Sequence, residues 1–174
     1  MNVIKYLLLF SILLVSSSWS TLPYGQDQLP NIQVQTLNGQ SINIRSLRES
    51  GKPMLISFWA TWCKPCIKEL DAINEVLEDW QDEVDFNVVA ISVDDTRSLS
   101  RVRPFVNGRG WEIPVYLDQN ADLKRALGVN NIPHVLIVDA AGKIVWQHAS
   151  YQMGDEENYY KVLHDLSEKS SGNE

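Results

Sequence analysis

The sequence predicts an α/β fold, because a strand, a helix and a second strand follow one another in the middle of the chain. The first strand is the apolar run of residues 54–60, which follows Gly51 and Pro53. Residues 86–93 form a second apolar run that ends at two aspartates. Between the runs, apolar residues recur at spacings of three and four, as in an amphipathic helix: Ile67, Leu70, Ile73, Leu77 and Trp80. This order predicts a parallel strand–helix–strand crossover.

Both cysteines of the chain lie where the first strand is followed by the helix, in the stretch Thr61-Trp62-Cys63-Lys64-Pro65-Cys66. Residues three apart on a first helical turn are neighbours on one face, so the two sulfur atoms are near enough to bond. A helix N-terminus also supplies partial positive charge and free N–H groups, which favour a thiolate. Cys63 is nearer the helix start and gains most from this field. The spacing therefore predicts a redox-active dithiol.

Length and composition limit the other possibilities. The 174-residue chain, less a leader, is one domain that is large enough for a core of its own. Its hydrophobic content of 44% and charged content of 21% are typical of a soluble globular protein. A net charge of −7 argues against general nucleic-acid binding. Two cysteines make no disulfide framework, so packing must stabilise the fold.

Two other uses of a Cys-x-x-Cys pair stay open, a purely structural disulfide and half of a zinc site. Zinc requires two further ligands. The three histidines, His134, His148 and His164, lie far along the chain and lack the His-x-x-x-His spacing. We therefore expect no bound metal.

Residues 1–20 have the pattern of a targeting segment. Lys5 supplies a positive flank, residues 6–15 an apolar run, and four serines the small residues of a cleavage region. The run is shorter than the roughly 20 residues that a membrane-spanning helix needs, which favours a cleaved signal peptide over an uncleaved membrane anchor. Export predicts a location in the periplasm or another extracytoplasmic space, where the surroundings are oxidising.

The remaining domain boundaries follow from composition. Residues 21–30 are polar, contain Pro and Gly, and are expected to be a linker. Residues 31–168 are expected to form the folded domain, and residues 169–174 a disordered polar tail.

Turn signals and shorter periodic runs predict the other elements. Asn38-Gly39 between two alternating runs is the strongest short hairpin signal, and it places a hairpin ahead of the first strand. Residues 99–106 suggest a helix, which Pro104 kinks or delays and which Gly108 and Gly110 end. A strand is predicted at 113–117 and a helix at 121–127, with Asp118 or Asn120 as its N-cap and Gly128 as its stop. Strands 135–138 and 144–146 are then predicted to form a hairpin, and residues 155–167 the last helix.

Several segments together resemble the TlpA/ResA-like branch of the thioredoxin superfamily, whose members are exported thiol-disulfide oxidoreductases. The resemblance covers about residues 29–168, and a Trp-Cys-x-Pro-Cys core after a strand, with a downstream Ile-Pro, is a specific signal. The segments that carry it are 58–66, 68–70, 89–94, 128–129, 132–133 and 136–139.

The resemblance implies a thioredoxin-like fold. Its mixed central sheet, flanked by helices, joins a parallel βαβ half to an antiparallel ββα half. An N-terminal β-hairpin precedes the halves, and an insertion helix lies between them. The resemblance also implies that Pro133 is cis and packs against the cysteines. A cis proline would point the backbone of the preceding residue, Ile132, towards an extended substrate.

Thiol chemistry then predicts the role of each residue around the cysteines. The Cys63 thiolate attacks a client disulfide to give a mixed disulfide, which Cys66 resolves; the reverse reaction oxidises clients. Lys64 and Pro65 influence the redox balance, since a cation stabilises a thiolate and proline fixes the turn. Trp62, with Trp59, is expected to shield the site and to offer clients an apolar contact, although Trp59 also fits a purely core position.

Two titratable residues have both a functional and a structural interpretation. Glu69 lies one helical turn beyond Cys66 and matches a buried glutamate of the resembling family, which is thought to assist proton transfer; the alternative is an exposed carboxylate. Typical thioredoxins place an aspartate in the preceding strand, where this chain has Ser57. His134 follows Pro133 and would titrate near the site, but an ordinary strand histidine explains it better.

A run of arginines stands out in this acidic chain. The segment 96–111 contains no acidic residue, and it fits either a docking patch for an acidic partner or a solvated helix face, which we prefer. The arginines are Arg97, Arg101, Arg103 and Arg109.

Three functions remain open at this stage. The first is a thiol-disulfide oxidoreductase, expected to act as a reductase on exported client proteins and to be kept reduced by a membrane thiol electron donor. The resemblance implies apocytochromes as possible clients. We also expect a monomer and no cofactor beyond the redox-active disulfide. The second is a thiol peroxidase of AhpC/TSA type, although the Pro-x-x-x-Thr pattern before a peroxidatic cysteine is missing. The third is a non-catalytic module that binds clients.

Overall fold

The described residues fold around a seven-stranded mixed sheet. The structure, a computed structural model, describes residues 28–49 and 51–171. The strands are β1 (Gln33–Thr36), β2 (Ser41–Asn43), β3 (Met54–Trp59), β4 (Asn87–Ser92), β5 (Val115–Leu117), β6 (His134–Val138) and β7 (Ile144–Ala149). The helices are α1 (Lys64–Glu83), α2 (Leu99–Arg109), α3 (Asp122–Ala126) and α4 (Glu156–Ser171), and a 3-10 turn covers Ile44–Leu47.

The strand order is β2-β1-β5-β4-β3-β6-β7. Strands β3, β4 and β5 are parallel to one another. On one side, β6 pairs antiparallel with β3, and β7 pairs antiparallel with β6. On the other side, β1 pairs antiparallel with β5, and β2 pairs antiparallel with β1. The predicted arrangement is thereby confirmed: a βαβ half, a ββα half, a hairpin in front and α2 between the halves. The strand that leads to the cysteines, β3, lies inside the sheet between β4 and β6.

Alternate residues of β3 supply two separate cores, because successive side chains of a strand point to opposite faces. Leu55 and Trp59 pack on the face covered by α1, α2 and α4. Met54, Ile56 and Phe58 pack on the face covered by α3 and by the chain from Leu29 to Leu47. All six residues of β3 are buried. The functional end of this strand is therefore fixed from both sides.

Several predicted boundaries differ from the observed ones. Pro104 does not delay the start of α2 but lies inside it. The helix ends at Arg109, and its C-cap is Gly110, whose φ of 68° is in the left-handed region. Strand β5 begins at Val115, two residues later than predicted. The last helix continues to Ser171, past the predicted start of the tail at residue 169. Sequence patterns locate elements more reliably than their ends.

The expected leader at residues 1–20 and most of the expected linker lie outside the described residues. Within the described part of the chain, no helix is both long enough and apolar enough to cross a bilayer.

Candidate active site

The two cysteines form a disulfide bond at the N-terminus of α1. Their Cα atoms are 5.3 Å apart. Cys63 is the N-cap of the helix, and its Sγ accepts a hydrogen bond of 3.3 Å from the backbone N–H of Cys66. The predicted position of the pair is thus confirmed. Cys63 keeps 6% of its surface exposed, whereas Cys66 keeps none.

The turn that delivers the cysteines is fixed by Asp94, at the end of β4. Its carboxylate accepts hydrogen bonds from the Thr61 backbone N–H (2.8 Å) and hydroxyl (2.6 Å). The Ser92 hydroxyl donates a third, of 2.9 Å. Asp94 is fully buried. A buried carboxylate with three donors holds the segment before Cys63 against the neighbouring strand.

The peptide bond between Ile132 and Pro133 is cis, as the resemblance implied. His134, the first residue of β6, pairs with Phe58 in β3. The same register places Pro133 beside Trp59, at the end of the sheet from which the chain continues to the cysteines. The carbonyl oxygen of Pro133 accepts a hydrogen bond of 2.9 Å from the backbone N–H of Ser150.

A groove of about 360 Å³ begins at Trp62 and ends at the loop before Pro133. Trp62 is 65% exposed, which is unusual for so large an apolar side chain. The backbone N–H and C=O of Ile132 have no hydrogen-bond partner among the residues that the structure describes. Both groups are thus free for a bound chain. The residues that line the groove are Trp62, Val93, Ala121, Lys124, Asn130, Asn131 and Ile132.

Glu69 is buried, so its interpretation as an exposed carboxylate is wrong. The Ser57 hydroxyl donates to Glu69 Oε2 (2.8 Å), and the Tyr159 hydroxyl donates to Glu69 Oε1 (2.9 Å). Burial raises the pKa of Glu69 to about 7, although both hydrogen bonds oppose the shift. The carboxyl group therefore titrates near neutral pH, one helical turn beyond Cys66.

Sequence reasoning missed Tyr159 entirely. The residue is fully buried on α4, and its pKa is raised by burial and by the neighbouring Glu69. It lies 90 positions from Glu69 in the chain. The one available signal was that Tyr159 and Leu163 are four positions apart on the last helix, which predicts a shared buried face, and a buried tyrosine hydroxyl group needs a hydrogen-bond partner.

The other predicted residues around the cysteines divide into exposed and buried ones. Lys64 and Pro65 are the first two residues of α1 and are exposed beside the disulfide. Trp59 is completely buried and stacks edge-on against Trp111 at 5.0 Å, so it serves the core and does not shield the site. Among the two tryptophans, only Trp62 is available to a client.

His134 is a half-buried strand residue whose Nε2 lies 3.4 Å from Gln147 Oε1. Burial lowers its pKa. Burial therefore favours the neutral imidazole, which agrees with the structural interpretation.

The arginine run does not form one free patch. Arg109 pairs with Asp71 of α1 at 2.7 Å, and Arg103 donates to the backbone oxygen of Leu37. Arg97 and Arg101 are exposed. The run therefore serves partly to attach α2 to its neighbours.

One group of side chains in the described residues brings possible metal ligands within 4.8 Å of one another. It consists of His164, Asp165 and Glu168 on α4, and Asp165 already pairs with Lys161 at 2.7 Å. Neither cysteine belongs to this group.

The fold and the site together define a class of protein. A mixed sheet of thioredoxin type, a disulfide at a helix N-terminus and a cis-proline loop at the same end are the parts of a thiol-disulfide oxidoreductase.

Comparison with known proteins identifies the family. Residues 26–147 match the AhpC/TSA family. The thiol-disulfide oxidoreductase ResA of Bacillus thuringiensis is 33% identical over 137 residues, which are 78% of this chain and 76% of that protein. The chain belongs to the AhpC/TSA family and is a ResA-like thiol-disulfide oxidoreductase of the thioredoxin superfamily.

Solved structures agree with this assignment. A thioredoxin-like protein from Porphyromonas gingivalis is 44% identical, with a TM-score of 0.72 over 81% of this chain and 92% of that chain. The putative thiol:disulfide interchange protein DsbE from Chlorobium tepidum has a TM-score of 0.69 at 24% identity, over 80% of this chain and 96% of that chain. The second likeness concerns the fold alone.

Proposed function

We propose that this protein reduces disulfides of exported client proteins through the Cys63–Cys66 dithiol. One observation carries the proposal: Cys63 is the cysteine with exposed surface, and Cys66 is fully buried behind it. A client disulfide can therefore meet Cys63 but not Cys66. This difference supports Cys63 as the residue that attacks the client and Cys66 as the residue that makes the second, internal attack.

The reaction balances as a two-electron exchange. The Cys63 thiolate attacks one client sulfur, the client S–S bond breaks, and the second client sulfur leaves as a thiolate. Cys66, as thiolate, then attacks Cys63 Sγ and expels the first client sulfur. The enzyme is left as the disulfide, and the client has gained two electrons and two protons. A membrane thiol electron donor restores the dithiol by the same exchange in reverse.

Glu69 supplies the proton acceptor for the second step. Cys66 must lose its proton before it attacks, and side chains three apart on a helix have Cβ atoms roughly 5–6 Å apart. A carboxyl group that titrates near neutral pH accepts and returns a proton under ordinary conditions. Glu69 is thereby assigned as the general base of the resolving step.

The groove between Trp62 and Ile132 is assigned to client binding. An extended client segment pairs with the free N–H and C=O of Ile132 as an added strand. The exposed indole of Trp62 covers the apolar side chains that flank the client cysteine. Lys64 and Pro65 lie on the rim, where the ammonium group favours a thiolate at Cys63.

The compartment, direction and partners belong to the same proposal. The targeting pattern of residues 1–20 supports a periplasmic or other extracytoplasmic location. In an oxidising compartment, a reductase needs a dedicated donor, which supports a membrane partner. We assign no cofactor beyond the redox-active disulfide, and the protein acts as a monomer.

The decisive experiment replaces the two cysteines separately. Reduced Cys66→Ser should accumulate a mixed disulfide with a model client that contains disulfide bonds, visible as a heavier band on a non-reducing gel. Cys63→Ser should form none and should not reduce insulin. Equal trapping by the two variants would refute the assignment. Rapid consumption of hydrogen peroxide by the wild type, without insulin reduction, would instead favour a thiol peroxidase.

A further inference from the structure

Glu69 is held by two hydroxyl groups that come from opposite parts of the fold. Ser57, in the central strand β3, reaches Oε2, and Tyr159, on the last helix α4, reaches Oε1. All three side chains belong to residues with no exposed surface. Each carboxyl oxygen therefore has its own protein partner in a site closed to bulk water.

Hydroxyl groups differ from other partners because they can both donate and accept hydrogen bonds. A carboxylate accepts from Ser57 and from Tyr159. A protonated Glu69 donates a hydrogen bond to one of the two hydroxyl oxygens and still accepts a hydrogen bond from the other hydroxyl group. An ammonium, guanidinium or backbone N–H partner would only donate, and it would lose its bond on protonation. The hydroxyl groups of Ser57 and Tyr159 can therefore bond to either protonation state of Glu69 without any displacement of the carboxyl group.

We propose that Ser57 and Tyr159 are positioning residues that hold the Glu69 carboxyl in a single position whether it is protonated or ionised. The inference rests on the proton role proposed above for Glu69. When Cys66 gives up its thiol proton, Glu69 changes from carboxylate to acid. One of the two hydroxyl groups then changes from donor to acceptor while the other keeps donating, so α1, which carries Cys66 and Glu69, does not have to move.

Other charged groups face this site and are part of its electrostatics. Asp155 and Glu156, at the start of α4, both favour the protonated form of Glu69. The Tyr151 hydroxyl donates to Glu156 over 2.9 Å, and His148 Nε2 lies 3.4 Å from Asp155 Oδ2. Variants of Ser57 and Tyr159 leave these groups in place, which separates the effect of the hydroxyl groups from theirs.

The test measures the titration of Glu69 directly, by carbon-13 NMR of its side-chain carboxyl in the oxidised protein, with Glu69→Gln to assign the signal. A hydrogen bond to an ionised carboxylate is stronger than one to the neutral acid, so loss of the Tyr159 hydroxyl in Tyr159→Phe should raise the midpoint by about one pH unit. Ser57→Ala should do the same from the other oxygen. Tyr160→Phe is the matched control, since Tyr160 also joins α4 to a glutamate of α1, Glu83, at the surface; it should leave the midpoint unchanged.

The outcomes separate this inference from the proposed function. If Tyr159→Phe folds and its Glu69 midpoint equals that of the wild type, the inference is wrong. If that variant fails to fold, Ser57→Ala decides by the same criterion. If the midpoint rises and the pH profile of insulin reduction moves with it, both ideas hold. If the midpoint rises and the profile does not move, the hydroxyl groups position Glu69 as inferred, but Glu69 is not the base of the reaction.

Discussion

Asp94 accepts two hydrogen bonds from Thr61, one from the backbone N–H at 2.8 Å and one from the hydroxyl at 2.6 Å. Thr61 lies two residues before Cys63, whereas Asp94 lies just beyond the end of the neighbouring strand β4. The loop that presents the redox pair is thus fixed to the sheet and not only to its own helix.

Replacing Asp94 should therefore destabilise the protein strongly. Asp94→Ala leaves the part-buried Thr61 N–H and the buried Ser92 hydroxyl without their partner and should lower the free energy of unfolding by about 2–4 kcal/mol. Thr61→Val, which removes only the hydroxyl bond, should cost about 1 kcal/mol. Urea denaturation of the oxidised proteins measures both. Equal stability of the two variants would show that the backbone bond contributes nothing.

Truncating Trp62 should weaken binding of protein clients without affecting small disulfides. The indole is 65% exposed, so its loss should not disturb the core. Trp62→Ala should raise KM for a protein client about tenfold, equivalent to ~1.4 kcal/mol, because an apolar anchor is lost. Reduction of oxidised glutathione should be unaffected. Val145→Ala, at an exposed valine near the start of β7, is the control and should match the wild type with both substrates.

The stability of the oxidised protein should depend on the ionisation of Glu69. Its pKa is about 7 in the folded state and 4.5 as the ordinary value, so the folded state binds the extra proton. The stabilising contribution of the protonated form is complete below about pH 4.5. It is lost as the pH rises to about 7, with a total of roughly 3 kcal/mol.

Glu69→Gln cannot ionise and should lack this loss. Chemical denaturation at pH 4.5, 6 and 8 should therefore show the difference between wild type and variant shifting in favour of the variant as the pH rises. Glu78→Gln, at an exposed position of the same helix, should show no comparable step. A constant difference between wild type and Glu69→Gln would contradict the raised pKa.

Asp118 should prove important for the short helix α3 beside the groove. Its carboxylate accepts hydrogen bonds from the backbone N–H groups of Leu123 (3.1 Å) and Lys124 (2.8 Å). Asp118→Ala should lower the free energy of unfolding by about 2 kcal/mol and speed hydrogen exchange at these two amides. Asp118→Asn, which keeps one acceptor oxygen, should lie between. Unchanged exchange in Asp118→Ala would rule out the capping role.

The sequence predicted local features well because periodicity and turn residues encode them locally. The burial of β3, the amphipathic α1 and the position of the cysteine pair all followed from patterns within about 25 residues of one another. Asp118 was named as a possible cap and does bind the first turn of α3, although the backbone N-cap is Ala121. The cis bond at Pro133 came from the family resemblance alone.

Contacts between distant segments could not be predicted, because strand register and helix packing decide them. Tyr159 reaches Glu69 across 90 positions, and Thr61 reaches Asp94 across 33. The sequence showed only that Ser57 replaces the aspartate of typical thioredoxins, whereas the Ser57 hydroxyl donates a hydrogen bond to Glu69 of α1. The roles of Ser57 and Tyr159 could therefore be assigned only once the structure showed that both contact Glu69.

The bond between the Pro133 carbonyl and Ser150 restricts what an incoming chain can grip. Because that oxygen is already bonded, the proposed client-binding mode leaves only the main-chain N–H and C=O of Ile132 for pairing with a client. Such a site would contact little of the client sequence around the disulfide. The proposal therefore implies broad client tolerance and fast release once the mixed disulfide is resolved.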